Sequence, residues 1–152
     1  MLYFLDREAL LRWNRPVTSD RYVSLDNGPV VSRIYDLISE ESAPGTDSIW
    51  RHYISAPQEW EVALLGDLES DELSRAEEAL IDEIYAAYGK MTRWDLVRMS
   101  HDLPEWQDPN GSAIPIQYRD ILWAGNKTDS EIAAVEAELE SLATTEAMLQ
   151  PS

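Results

Sequence analysis

Two histidines and the absence of cysteine limit the chemistry that this chain of 152 residues can carry. Without cysteine the chain has no thiolate nucleophile, no disulfide and no thiolate metal site. His52 and His101 form neither a His-x-x-x-His nor a His-Glu-x-x-His pair, so a zinc site would need carboxylates as its other ligands. His101 falls at a predicted helix end, where an imidazole complements the helix dipole and can pack against Trp106. We therefore expect no metal, no cofactor and no catalysis.

An acidic run from Asp67 to Glu78 has carboxylates at the first, third, fifth and twelfth positions of an EF-hand calcium loop. Its sixth position is Glu72, where the sharp turn of that loop needs glycine. Ser74 and Glu77 also form the Ser-x-x-Glu pattern of a helix capping box. We interpret the run as the acidic entry to a helix and not as a calcium site.

The stretch Asp26-Asn27-Gly28-Pro29 lies among three basic residues, Arg15, Arg21 and Arg33, which is the setting of a possible phosphate loop. It has a single glycine, however, and neither a Gly-x-Gly-x-x-Gly pattern nor a following Lys-Ser/Thr. A helix N-terminus binds anions through its free N–H groups, and Pro29 lacks one of these donors. We interpret the stretch as a structural joint, and contact of its arginines with a partner stays open.

The formal net charge of −17 excludes some classes of partner. Such a field repels phosphate backbones and anionic membranes, so we expect neither direct nucleic-acid binding nor membrane binding. It fits capture of a basic protein, and equally fits plain solubility. The apolar opening Met1–Leu5 is too short for a signal peptide, and no apolar stretch reaches the length of a membrane span. With no cysteine, these features predict a soluble cytoplasmic protein.

The chain opens with a helical pattern from Leu2 to Trp13. Asn14-Arg15-Pro16 should end this helix, because a residue before proline avoids the α region. The expected buried face of this helix is formed by four residues at helical spacing: Leu2, Leu5, Ala9 and Trp13. Asp6 lies off this face.

The next segments predict a small sheet. Residues 21–25 suit a short strand, with Val23 and Leu25 on one side, and Asn27-Gly28 supplies a turn. Pro29 suits the first turn of a following helix, which carries an apolar stripe as far as Ile38. Alternating residues in 50–54 and 60–64 predict a β-hairpin.

The rest of the chain is predicted to be helical. Capping boxes at Ser74 and Thr92 open helices that run to Tyr88 and to about His101, and Gly89 suits a left-handed C-cap. Loop residues 109–111 follow, then a short helix over 118–124 that ends at Gly125, and then a last helix from Thr128 to about Met148. The fold class is α+β: a mostly helical single domain with a small antiparallel β-sheet or hairpin.

The last helix carries an apolar stripe at three-four spacing, broken at one step by Glu146. Two interpretations fit this pattern: a helix docked on its own core, or a seam for a partner or a second copy. The first is the more common use of such a stripe, and the position near the end of the sequence adds some weight to the second. The possible partner-binding residues are Ile132, Val135, Leu139 and Leu142.

The motifs together resemble the Panacea domain, also called the SocA-like antitoxin domain. The sequence "LYFLDREALLRWNRPVTSDRYVSLDNGPVVSRIYDLI" is similar to the family's amino-terminal signature, and "DELSRAEEALIDEIYAAYGKMTRWDLVRMSHDLPEW" to its second block. "IPIQYRDIL" resembles a later motif, so the likeness reaches about residue 125. The signature residues, mainly structural, are Tyr3, Asp6, Arg15, Pro16, Asp20, Tyr22, Gly28, Pro29, Tyr35, Gly89, His101 and Trp106.

The resemblance implies a non-enzymatic antitoxin that neutralises a cognate protein toxin by direct binding. It implies a Panacea-like domain over residues 1–125, with residues 126–152 as a C-terminal helix and tail of the same domain or facing a partner. Family members occur in bacteria, prophages and phages, and some resemble adaptors that carry the toxin to an AAA+ protease. Two alternatives stay open: a phage-encoded host-interaction or adaptor protein without a dedicated toxin, and an enzyme or metal protein with its site near Tyr22 and His101. An oligomer is also possible.

Overall fold

The structure is a computed structural model that describes residues 1–39, 47–59, 61–67 and 72–149. These residues form helices around one small antiparallel sheet, which confirms the predicted α+β class. In chain order the elements are α1 (Leu2–Trp13), β1 (Tyr22–Leu25), β2 (Gly28–Val31), α2 (Ser32–Ile38), α3 (Asp47–Tyr53), α4 (Arg75–Tyr88), α5 (Arg93–His101), β3 (Ile114–Ile116), α6 (Tyr118–Ala124) and α7 (Asp129–Leu149).

The sheet has the strand order β2-β1-β3, with β1 in the centre and antiparallel to both neighbours. The prediction that Pro29 begins a helix is wrong, because Pro29 lies in β2 opposite Ser24 and α2 begins only at Ser32. Pro115 lies in the other outer strand, opposite Val23. Both prolines are thus in edge strands, where a missing N–H costs no ladder hydrogen bond.

The buried side of β1 also differs from the prediction. Tyr22 and Ser24 are buried, whereas Val23 and Leu25 are only half-buried. Strand β3 was not predicted at all. It pairs with β1 through Tyr22 and Ile116, which are far apart in sequence, so no local pattern indicates the pairing.

The predicted strand over residues 50–54 is wrong, since Asp47–Tyr53 is the helix α3. A chain reversal does follow it, with isolated bridges joining Ile54 to Leu64 and Gln58 to Glu61. Trp60, the first residue of the predicted second strand, lies outside the described residues. The same holds for residues 40–46 and for 68–71 of the acidic run.

The helices of the second half begin and end as predicted. Ser74 and Glu77 form a capping box at α4, and Thr92 and Asp95 form one at α5. Gly89 ends α4, but with right-handed angles (φ −64°, ψ −18°), so the predicted left-handed cap is wrong. A left-handed cap occurs instead at Asn14, after α1, with φ 59°. Asparagine tolerates that conformation better than most residues do.

Helix α1 is central to the packing, and its buried face is not the one predicted. Leu5 and Ala9 are buried, but Leu2 and Trp13 at the two ends are exposed. Asp6, predicted to lie off this face, is fully buried. One apolar cluster joins α1 to the sheet, α6 and α7, and it contains Tyr3, Leu10, Tyr22, Val31, Ile116, Ile121, Leu122, Ile132 and Val135. A second cluster joins α1 to α4, and it contains Leu5, Ala9, Leu80 and Ile84.

Candidate functional site

Asp6 is the centre of a buried polar network that fixes the segment after α1. Its Oδ1 atom accepts hydrogen bonds of 2.9 Å from the backbone N–H groups of Val17 and Thr18. Its Oδ2 atom accepts the Thr18 hydroxyl and, at 3.0 Å, the phenol of Tyr22. Burial and the negative charge of Asp6 raise the pKa of Tyr22 far above its ordinary value, so the phenol stays protonated. The Asp6 carboxylate is thus occupied by four protein donors.

Asp20 performs a similar task at the start of α2. One carboxylate oxygen accepts the N–H groups of Arg33 and Ile34 at 3.0 and 3.3 Å, and the other accepts the N–H of Arg21 at 2.6 Å. The α2 amides that an anion could have used are therefore held by a side chain of the protein. The phenol of Tyr118 donates to the Asp20 carbonyl at 2.9 Å, which ties α6 to this joint.

Glu105 is a third buried carboxylate, and sequence inspection did not single it out. It forms an ion pair with Arg7 of α1 at 2.6 Å and accepts the phenol of Tyr3 at 3.0 Å. Burial and the charge of Glu105 raise the pKa of Tyr3 far above its ordinary range. Glu105 lies between His101 and Trp106 in sequence, and only the fold brings it to α1. Glutamate is usually exposed, and a single glutamate in a loop gives no local indication that its side chain is buried.

His101 and Trp106 hold the β1–β2 hairpin from the α5 side. Their rings stack with centroids 3.9 Å apart, as predicted for a helix-end histidine packed by Trp106. His101 Nε2 lies 3.0 Å from the Asp26 carbonyl, and Trp106 Nε1 donates to the Leu25 carbonyl at 3.2 Å. Gly28, at φ 110°, allows the hairpin to lie against α5, because a Cβ there would overlap the hydroxyl of Ser100.

The comparison with known proteins decides the family. The family model described as "Antitoxin SocA-like, Panacea domain" matches residues 1–107. The chain belongs to this antitoxin family. No curated protein and no solved structure gives a significant match. The match ends just after Trp106, so the resemblance seen up to residue 125 extends beyond what the family model covers.

The Panacea signature therefore forms a scaffold in this structure. Five of its residues are buried and make hydrogen bonds or close packing contacts that hold the fold: Tyr3, Asp6, Asp20, Tyr22 and Gly28. The remaining signature residues lie around this core. Pro16 is buried, Pro29, Gly89 and the His101–Trp106 pair are partly buried, and Arg15 and Tyr35 are exposed.

Within the residues that the structure covers, the Panacea domain shows no group of three or more histidine or acidic side chains placed to hold a metal ion. In the same residues, no helix combines the length and the apolar character needed to cross a membrane.

The first half of the apolar stripe of α7 packs on the core of the domain itself. Ile132 and Val135 are buried in the domain's own core, and Leu139 packs against it. Arg119 of α6 adds an ion pair of 2.9 Å with Glu136. Of the four possible partner-binding residues, Leu142 alone has an exposed side chain. The first half of α7 thus follows the docked-helix interpretation.

A groove of about 340 Å³ lies between the segment after α1 and the middle of α7. Arg15, Pro16 and Val17 line one side of it, and Leu139, Leu142 and Ala143 line the other. Arg15 is exposed and lies 3.8 Å from Glu77. The groove therefore joins the exposed part of the Panacea signature to the helix that lies outside the family match.

Proposed function

We propose that the protein is the antitoxin of a toxin–antitoxin pair and neutralises a protein toxin by direct binding in the cytoplasm. The observation that carries this proposal is the match of residues 1–107 to the antitoxin family. Direct binding is supported by the roles of the buried carboxylates, since Asp6 and Asp20 of the signature, and Glu105 outside it, all hold the fold together. Recognition then falls to exposed side chains.

The charge of the protein supports a basic toxin as its partner. A net charge of −17 speeds the capture of a cationic protein at low ionic strength and repels an anionic one. We expect the association rate of the complex to fall steeply as salt is raised from 50 to about 300 mM, because exposed charges are screened over about a Debye length.

We propose further that neutralisation involves no catalysis by this protein. His101, which the alternative enzyme interpretation places near its site, stacks on Trp106 and has Nε2 engaged with the Asp26 carbonyl. Burial and neighbouring carboxylates raise the pKa of the Tyr3 and Tyr22 phenols above their ordinary value, so both stay protonated at neutral pH. Toxin that regains full activity after release from the complex would support this proposal, and permanently altered toxin would contradict it.

The deciding experiment is co-expression with the protein encoded by the neighbouring reading frame. We expect that protein to stop growth alone, and growth to return when this chain is expressed with it. The purified pair should form a stable complex of defined stoichiometry. Continued growth arrest together with the absence of a complex would contradict the antitoxin proposal.

The half-life of the toxin in cells separates direct neutralisation from delivery to a protease. Direct binding leaves toxin levels unchanged or raises them while growth recovers. A toxin that disappears only when both this chain and an AAA+ protease are present would instead support the adaptor role.

A further inference from the structure

The apolar stripe of α7 passes from the core into solvent half-way along the helix. Ile132 and Val135 are 5% and 4% exposed, and they pack in the core cluster. Leu142, the next but one residue of the stripe, is 40% exposed, and Leu149 is 76% exposed. Leu149 lies two turns beyond Leu142 and on the same side of the helix, past the step of the stripe that Glu146 breaks.

The groove beside α7 meets the stripe where it becomes exposed. Leu139 and Leu142 belong to the stripe and also line the groove, so the two surfaces are continuous. We call the α7 seam the surface formed by Leu139, Leu142 and Leu149 together with the groove wall at Pro16 and Val17. A helix with residues at matching spacing can place its side chains along such a surface.

The charge of α7 decides which occupant fits. The helix contains six acidic residues and no basic one. Arg15 lines the groove and lies within ion-pair distance of Glu77, and Arg119 is paired with Glu136 of α7 itself. A second copy would bring two such acidic helices together, and like charges on facing helices oppose association. A helix with basic residues beside its apolar stripe fits instead.

We propose that the α7 seam binds a basic amphipathic helix of the toxin. This inference rests on the proposed antitoxin function and adds to it the surface and the chemistry of the contact. Apolar side chains of the toxin helix cover Leu142 and Leu149, and its flanking lysines or arginines face acidic residues such as Glu138. Glu138 precedes Leu142 by four residues and so lies on the same side of α7.

Two neighbouring residues of nearly equal exposure provide the apolar test. Leu149 is 76% exposed and belongs to the stripe, whereas Met148 is 79% exposed and points to another side of the helix. The probe is the toxin encoded beside the gene, with affinity measured by titration calorimetry on the full-length chain. We expect Leu149→Gln to weaken binding at least tenfold, as for an interface residue made polar. Met148→Gln should change affinity less than about threefold, as expected outside the contact.

A second matched pair tests the charge. Glu138→Lys and Glu140→Lys make the same change in net charge on the same helix, but Glu140 is two residues from Leu142 and lies off the stripe. We expect Glu138→Lys to slow association at least tenfold at 50 mM salt and Glu140→Lys to slow it clearly less, because only the first charge faces the toxin helix.

The outcomes separate this inference from the function on which it rests. Failure of the wild-type chain to bind the toxin overturns the antitoxin proposal and this one with it. Tight binding by the wild type that Leu149→Gln and Glu138→Lys leave unchanged overturns the α7 seam alone. Dimerisation of the free protein that Leu149→Gln abolishes, with toxin binding kept, makes the seam a contact between copies and also overturns the proposal. Unchanged circular dichroism of all four variants is the control for folding.

Discussion

The phenol of Tyr22 donates a hydrogen bond of 3.0 Å to the carboxylate of Asp6, and both side chains are buried. This contact joins the centre of the sheet to the middle of α1. The same carboxylate holds the N–H groups of Val17 and Thr18, so a single side chain connects helix, loop and strand. A family signature that looks like a set of polar site residues is used here to assemble the fold.

Replacing Asp6 by asparagine should destabilise the protein by about 3 kcal/mol. An amide keeps one acceptor oxygen but turns an N–H₂ group toward buried donors, which then lose their partner. Tyr22→Phe removes one donor and should cost about 1 kcal/mol. Urea unfolding gives both values. The exposed Asp82→Asn of α4 is the control and should lie within about 0.5 kcal/mol of the wild type. Equal stabilities for the Asp6 and Asp82 variants would contradict the central role of Asp6.

Local signals explain why most helices could be predicted. The capping boxes at Ser74 and Thr92 use residues three positions apart. Gly125 ends α6 with an N–H that bonds to the carbonyl of Ile121, only four residues earlier. These interactions are complete within one turn of helix, so the sequence alone contains them.

The predictions are wrong where a contact with a residue distant in sequence determines the secondary structure or the burial. Pro29 suits a helix start as well as an edge strand, and only the pairing of β2 with β1 selects the second. Residues 50–54 alternate in polarity, but five residues do not distinguish a strand from a helical turn. Asp6 and Glu105 are charged residues whose burial depends on partners at sequence separations of 11 to 16 and of 98 to 102 residues.

Gly28→Ala should destabilise the hairpin by about 3 kcal/mol, through two separable causes. Its φ of 110° is unfavourable for alanine, and the new Cβ would overlap the Ser100 hydroxyl. Gly111, at φ 78° with no atom near a new Cβ, measures the backbone cost alone, and Gly111→Ala should lose about 1 kcal/mol. Adding Ser100→Ala to Gly28→Ala should recover part of the loss in a double-mutant cycle of unfolding energies. A strictly additive cycle would show that the contact with Ser100 has no effect.

Stability should fall in mild acid through the capping-box carboxylates. Hydrogen bonds from Ser74 hold the pKa of Glu77 below its ordinary value of 4.5. The stabilisation is therefore complete above about pH 4.5 and is lost as the pH falls through the lowered pKa, where the folded state must also take up the proton. Glu77→Gln keeps a side-chain acceptor but cannot titrate, so its thermal midpoint should fall less between pH 5 and pH 3 than that of the wild type. Glu140→Gln, outside any capping box, is the matched control, and parallel pH curves for the two variants would contradict this prediction.

The position of α7 predicts that two truncations will behave differently. Deleting residues 129–152 removes Ile132 and Val135 from the core, at a cost of about 2 kcal/mol for each buried side chain. Deleting residues 144–152 removes only the end of the helix, where the described side chains are exposed, so the thermal midpoint should stay within a few degrees of the wild type.

The longer deletion therefore tests folding before it tests binding, whereas the shorter one removes Leu149 and leaves the core intact. A marked loss of stability on deleting 144–152 would mean that this end of α7 serves the fold and not a partner. A folded protein that has lost its toxin affinity would assign the exposed end of the helix to recognition.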